Sequence, residues 1–243
     1  MFVDVHSHVV PSGDDGVETA AEGLALAREA ARRGTRVLFA TPHVWPHTPL
    51  TPEREQAIRA AHARMAAEAL TFGLHLGLGF ELTPAPALLE EELRRYRLGG
   101  LEAVLMEFPF SGGLALLARL VEALQASGLV PVLAHPERTE AVLADPDAAR
   151  RFAERGCLVQ VNATSLLGDH GPERERLAWE LLEDGVASLV ASDGHRPARP
   201  PFLDSAYEAV SARLGSGAAD ALFDGRALPG LAARDRVHLA ERR

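Results

Sequence analysis

The sequence contains no lysine; all 25 of its basic side chains are arginine. That absence excludes a Walker phosphate loop, Schiff-base chemistry and a carboxylated lysine bridging two metals, each of which needs a lysine nitrogen. A single cysteine, Cys157, allows no internal disulfide, which fits a reducing, cytoplasmic setting. It stands in "CLVQVNA", where a cysteine-phosphatase loop would need an arginine at the position of Ala163, so core packing accounts for the thiol. No apolar run approaches the roughly 20 residues of a membrane span. No basic segment leads into a hydrophobic stretch near Met1, so neither a span nor a secretory leader is expected. An excess of basic charge is also missing: the net charge of −9 argues against nucleic acid as a partner, because phosphate binding requires neutralising cations.

What is present is an ordinary globular composition, 47% hydrophobic and 24% charged over 243 residues, enough to bury a substantial core. No low-complexity linker divides the chain, and a single domain over 1–243 is expected. Short apolar runs alternate with helical patterns. "TAAEGLALAREAARRG" reads as a helix with Thr19 as cap, Glu22 completing a capping box and Gly34 as stop. "TPEREQAIRAAHARMAAEALTFG" reads likewise, with Thr51 as cap and Pro52 in the first turn. Further helices are expected over 87–96, 114–127, 146–155 and 173–184. Between them lie the apolar runs "FVDV", "VLFATPH", "LHLGLGFE", "EAVLMEF", "LVPVLAH", "CLVQVNA" and "ASLVASD". Repeated strand–helix units imply parallel strands with helices outside.

The polar residues at the ends of these runs carry the chemistry. His6 and His8, two apart in "DVHSH", project the same way from an extended chain. His43 follows the second run, Glu81 the third, Glu107 the fourth and His135 the fifth, while Asp193 and His195 follow the seventh. In an open sheet these ends would form a line too long to meet at one point; a closed barrel gathers them around one cavity. An irregular, seven-stranded parallel α/β barrel is therefore expected. A charged residue just beyond a buried strand is costly unless paired or metal-bound. The set is imidazole and carboxylate without thiolate, which suits Mn, Fe(II) or Zn.

In order and spacing, "DVHSHVVPSGDDG", "ATPH", "GFEL", "LMEF", "LAHPER", "VQVN" and "ASDGHRPARPP" resemble the PHP (polymerase and histidinol phosphatase) superfamily. The nearer resemblance is to its manganese-dependent protein-tyrosine phosphatase branch, found in capsule and exopolysaccharide loci, and it covers about 1–222. It implies three divalent ions and nine ligands: His6, His8, Asp15, His43, Glu81, Glu107, His135, Asp193 and His195. Asp15 rather than Asp14 follows from matching the "DDG" motif; the residues alone do not separate the two. The resemblance also places Arg138 and Arg199 as phosphate-binding arginines, and a guanidinium fork suits paired phosphate oxygens. The chemistry implied is attack on phosphorus by a metal-activated hydroxide with a phenolate leaving.

Other positions are less constrained. Trp45 and Phe110 are candidate walls for an aromatic ring. His47 is read as a non-ligand, and His62 and His75 as structural or exposed. Asn162 could contact substrate or close a turn. Thr139, after "HPER", stands where similar proteins often carry an aromatic residue. The expected substrate is a tyrosine-phosphorylated protein, such as the tail of a bacterial tyrosine kinase governing polysaccharide export. The competing readings are a small-molecule phosphatase of the histidinol-phosphate or nucleotide type, a non-catalytic PHP scaffold and, more distantly, an amidohydrolase.

Overall fold

Strand and helix alternate along the chain in the computed structural model, which describes residues 1–110 and 113–231. The strands are β1 (Phe2–Ser7), β2 (Thr35–Ala40), β3 (His43–Val44), β4 (His75–Leu78), β5 (Glu81–Leu82), β6 (Ala103–Glu107), β7 (Val130–Ala134), β8 (Leu158–Asn162) and β9 (Leu189–Ala191). They pair in the orders β1-β2-β4 and β3-β5-β6-β7-β8-β9, all in parallel. The fold is therefore mixed α/β built on parallel sheets.

Two of the apolar runs break where one strand each is expected. Pro42 has no N–H to donate to a ladder, and β2 ends before it. The facing chain breaks at Gly79 and Phe80. Backbone bonds still cross the break, from Gly79 N–H to Ala40 O at 2.9 Å and from Glu81 N–H to Pro42 O at 3.1 Å. The break turns β3 and β5 so that His43 and Glu81 lie side by side in register. At the other margin Ser7 and Gly194 form a parallel bridge. There Asp193 N–H donates to His6 O (2.9 Å) and His8 N–H to Gly194 O (2.7 Å).

Caps behave as local chemistry requires. Thr19 Oγ1 accepts from Glu22 N–H at 3.2 Å, while the Glu22 carboxylate reaches Glu18 N–H rather than that of Thr19. The helix Pro52–Leu70 opens on Thr51, whose Oγ1 accepts from Arg54 N–H at 3.3 Å. The helix expected over 87–96 is instead two 3₁₀ turns, Pro86–Glu90 and Leu93–Tyr96. The interruption falls at Glu91 and Glu92, between the two turns. Glu91 turns extended and accepts the Tyr96 hydroxyl, and Glu92 caps Arg94 N–H at 3.2 Å.

Side chains alternate between two apolar clusters. One, with Leu38, Met106, Leu133 and Val161, lies between strands and helices. The other, with Val5, Val37, Phe39, Leu105 and Val132, lies on the opposite strand face. Burial of both faces explains why the runs read as continuous apolar stretches. Gly23, in the helix Ala20–Arg32, lets that helix touch the chain at Val9: a Cβ there would fall 2.0 Å from Val9 O and 2.8 Å from Met65 Cε. Glycine to alanine in an unobstructed helix gains about 1 kcal/mol. Here overpacking against backbone outweighs that gain, so Gly23→Ala should lower the melting temperature by several degrees, as from a net loss of about 1–3 kcal/mol. An unchanged or raised melting temperature would refute the close approach.

Candidate metal centre

β1, β3, β5 and β6, together with the turns after β7 and β9, deliver the polar residues to one place. His6 lies in β1, which is buried throughout, and His8 follows its last residue, Ser7. Neither is exposed. Gly16 keeps the "DDG" loop against them, since a Cβ at that position would lie 2.5 Å from His8 O. Glu81 is fully buried at the centre. Its Oε2 lies 3.0 Å from His6 Nε2, 3.3 Å from His8 Nε2 and 3.0 Å from His43 Nδ1; its Oε1 lies 3.1 Å from His135 Nε2. Asp193 Oδ1 lies 3.3 Å from His6 Nε2 and 3.5 Å from His8 Nε2.

Among the described residues the donor atoms form three groups: His8, Asp15, His43 and His195; His6, His8 and Asp193; and His6, Glu81 and His135. Glu107 belongs to none of them. It lines the same cavity, and Thr83 Oγ1 donates to its Oε2 at 2.6 Å. The two aspartates of the "DDG" loop also separate. Asp14 is already engaged, accepting from His43 N–H and Gly16 N–H, both at 3.0 Å. Asp15 is exposed and reaches inward, with Oδ1 3.2 Å from His195 Nε2 and 3.6 Å from His43 Nε2.

The donor set fits divalent metal. His43 Nδ1 is buried and makes no hydrogen bond although Glu81 Oε2 is 3.0 Å away, an approach of two lone-pair atoms such as a shared cation produces. His6 Nδ1 lies 2.9 Å from Gln160 Oε1, an acceptor that selects the Nδ1–H tautomer and leaves Nε2 free to ligate. His135 (φ 37°) and Asp193 (φ 53°) are, among the described residues, the non-glycines with positive φ. Backbone held there costs on the order of 1–3 kcal/mol per residue and persists where the surroundings over-determine it.

Charge is balanced internally. Burial would raise the carboxyls of Glu81 and Asp193, yet the adjoining imidazoles hold both well below the usual range. Burial likewise opposes charge on His8 and His135, but neighbouring carboxylates raise both. Burial brings His43 down to about 4, and burial with the Glu81 charge pushes Glu107 up to about 7.

Two arginines close the cavity. Arg138 Nη1 donates to Asp193 Oδ2 at 2.7 Å, and Arg199 Nε donates to the Asp193 carbonyl at 2.9 Å while its guanidinium packs on His195. Trp45 stacks on His43 with ring centroids 4.4 Å apart, and Phe110 lies 5.7 Å from His135 with Arg138 over its face. Both aromatics line the site cavity, of about 220 Å³. His47 stacks on Trp45, and His62 Nε2 binds Leu76 O at 2.9 Å. His75 is exposed. Asn162 neither closes a turn nor lines the cavity: its Nδ2 donates to Asp193 Oδ2 at 2.9 Å and its Oδ1 accepts from Gln160.

Sequence reasoning missed the residues that hold the ligands in place. Gln160 was legible only as the alternate position to Asn162. Asp4 Oδ1 accepts from His6 N–H and Ser192 N–H, and the buried Glu137 accepts from Asn162 N–H and Ser165 Oγ. Arg54 gives no local signal at all. From the capped first turn of Pro52–Leu70, its Nε, Nη1 and Nη2 donate to Ser12 O (3.1 Å), Thr48 O (2.9 Å) and His43 O (2.9 Å). It thereby ties together the segments that carry Asp15, Trp45 and His43.

The chain was compared with known proteins. A family model described as capsular polysaccharide synthesis, CpsB/CapC, matches residues 2–228. The tyrosine-protein phosphatase YwqE of Bacillus subtilis is 31% identical over 201 residues, covering 80% of this chain and 77% of the relative. The tyrosine-protein phosphatase CpsB of Streptococcus agalactiae is 29% identical over 230 residues, covering 91% and 95%. A chain from the crystal structures of YwqE from Bacillus subtilis and CpsB from Streptococcus pneumoniae, described as metal-dependent tyrosine phosphatases, superposes with a TM-score of 0.80. It is 28% identical, with 89% of each chain covered.

Arg54→Ala should weaken metal binding at the Asp15, His43 and His195 group by ~10–100-fold, the usual consequence of losing a group that orients ligands. Arg54→Lys should recover little, since one ammonium cannot span three carbonyls. Metal titration of the folded variants checks this, and unaltered affinity in Arg54→Ala would contradict it.

Proposed function

The chain belongs to the CpsB/CapC family of capsular polysaccharide synthesis, and from that membership we propose that it is a metal-dependent phosphatase hydrolysing phosphotyrosine on proteins. The observation that carries this reading is the convergence of five histidines and their carboxylates on one buried site, closed by the forks of Arg138 and Arg199. In this reading His6, His8, Asp15, His43, Glu81, Glu107, His135, Asp193 and His195 hold three divalent ions, with manganese favoured and iron or zinc as alternatives. Such ions supply Lewis acidity and lower the pKa of water towards neutrality.

The chain's own residues do the rest. Arg138 and Arg199 both line the cavity and both engage Asp193, which sets their guanidinium groups beside the ligand cluster. There they hold the phosphoryl oxygens and neutralise the charge that grows on them. Asn162 and Gln160 keep Asp193 and His6 in position. Trp45 and Phe110 flank the entering phenyl ring, and the departing phenolate needs little help because tyrosine's pKa is near 10.

The strand ends belong to one ring in this reading. The Ser7–Gly194 bridge supports closing β1 onto the chain after β9, which with the two broken strands counted once makes an irregular seven-stranded barrel in one catalytic domain. The substrate is an exposed phosphotyrosine segment, such as the tail of a bacterial tyrosine kinase controlling polysaccharide export, and the compartment is the cytoplasm. Among the described residues no helix is long and apolar enough to cross a membrane.

The test is kcat/KM for a phosphotyrosine peptide, a phosphoserine peptide and histidinol phosphate in added Mn²⁺, before and after chelation. Phosphotyrosine should lead by a wide margin, chelation should abolish turnover and Mn²⁺ should restore it. A preference for histidinol phosphate would move the protein to small-molecule metabolism, and full activity in metal-free protein would sink the reading entirely. Separately, Arg138→Ala and Arg199→Ala should each lose ~10²–10³ in kcat while remaining folded and metallated. Loss of stability with unchanged activity per folded molecule would make that arginine part of the scaffold.

A further inference from the structure

β4, the strand that precedes Glu81 across the break, borders a second cavity, of about 610 Å³. Phe80, at the break between β4 and β5, lines this cavity, and the next residue, Glu81, belongs to the candidate metal-ligand cluster. Among the described residues the polar side chains of its wall are Arg59, Arg94, Arg95, Arg97, His62 and His75, with no carboxylate, amide or hydroxyl. Two backbone acceptors in the wall are already taken, Leu76 O by His62 Nε2 at 2.9 Å and Leu78 O by Gly99 N–H at 2.7 Å. The surface therefore presents donors and positive charge, in a protein whose net charge is −9.

The arginines are arranged in two pairs, each held by one glutamate from outside the wall. Arg59 and Arg95 share Glu55, at 2.7 and 2.5 Å. Arg94 and Arg97 share Glu102, both at 2.7 Å. Arg95 has a further, longer contact to Glu91 at 3.4 Å. On Glu102 two guanidinium groups share one carboxylate, which leaves positive charge over; the Arg59 and Arg95 pair shares Glu55 closely and meets a second carboxylate, Glu91, only at the longer distance. A phosphoryl dianion displacing the shared glutamate balances such a pair. The glutamates are partly exposed, and solvent-exposed ion pairs contribute little, so a ligand can displace them. Phosphoryl oxygens bound by paired guanidinium forks make the stronger contact.

We propose that this cavity is a second ligand site, separate from the metal centre, for a small molecule carrying two phosphoryl groups. Two arginine pairs match two phosphoryl groups. The volume lies within the ~300–1,000 Å³ usual for small-molecule sites and leaves room for an organic body such as a nucleoside or sugar. Leu76, Leu78 and Ala66 supply the apolar wall against which that body rests.

Isothermal titration of the metal-loaded protein with methylenediphosphonate, a diphosphate analogue that is not hydrolysed, tests the proposal. Saturating phenylphosphonate first occupies the metal centre, so that only the second site remains. One equivalent should bind saturably. Arg94→Gln and, independently, Arg59→Gln should each weaken binding by about tenfold or more, as loss of a charged hydrogen-bonding partner does. Phosphotyrosine-peptide turnover should be unchanged in both. Tighter binding of adenosine 5′-methylenediphosphonate than of methylenediphosphonate would identify a nucleoside as the organic body. Absence of saturable binding to the wild-type protein overturns the proposal, as does undiminished affinity in both folded variants.

Discussion

Glu81 is the constraint around which the rest is arranged. It is a fully buried carboxylate whose two oxygens lie within 3.3 Å of nitrogen atoms from His6, His8, His43 and His135. Burying such a charge alone is prohibitive, and even a paired ion carries a penalty of several kcal/mol. The chain must therefore bring compensating partners, imidazole nitrogens and any cation they hold, from several strands at once. The broken strands make that possible. Without the turn at Pro42 and Gly79, His43 and Glu81 would not stand side by side in register at the point where His6 and His135 arrive from other strands.

A guanidinium frame adjoins that cluster. Arg54 donates to three carbonyls, Arg196 Nε donates to Asp15 O and Arg199 Nε to Asp193 O. Each bond fixes the backbone of a residue in the cluster, or of a segment beside it. A planar fork with five donors in fixed directions can span two or three carbonyls, whereas an ammonium group acts as a point charge. The bond from Arg199 also helps hold the left-handed backbone of Asp193. Rigidity at these loops keeps the ligand atoms convergent in spite of the repulsion among the carboxylates.

The same strands separate chemistry from packing by simple alternation. In β8, Gln160 and Asn162 face the polar centre while Val159 and Val161 join the helix-side core. In β6, Leu105 and Glu107 share one face while Val104 and Met106 take the other. Outside the metal centre, the arginine-lined cavity is bordered by β4 and by Phe80, the residue before Glu81.

Much of this was open to reading in the amino-acid order. Helix caps at Thr19 and Thr51 are short-range chemistry, and buried strands show as β-branched apolar runs. A polar residue just past each run marks a strand end that must meet a partner. The sequence by itself determined the residue types available to the site, the parallel α/β pattern and the exclusion of lysine and thiolate chemistry. The tertiary structure alone decided that Asp14 binds the His43 and Gly16 amides while Asp15 reaches His195 and His43, and where β2, the chain facing it and the helical run before Glu91 break. It also decided that Arg54, Gln160 and Asp4 position the cluster, and that four arginines line a cavity. The reason is distance along the chain: periodicity and capping act over a few residues, whereas Arg54 meets Ser12, and Gln160 meets His6, only after the strands have assembled.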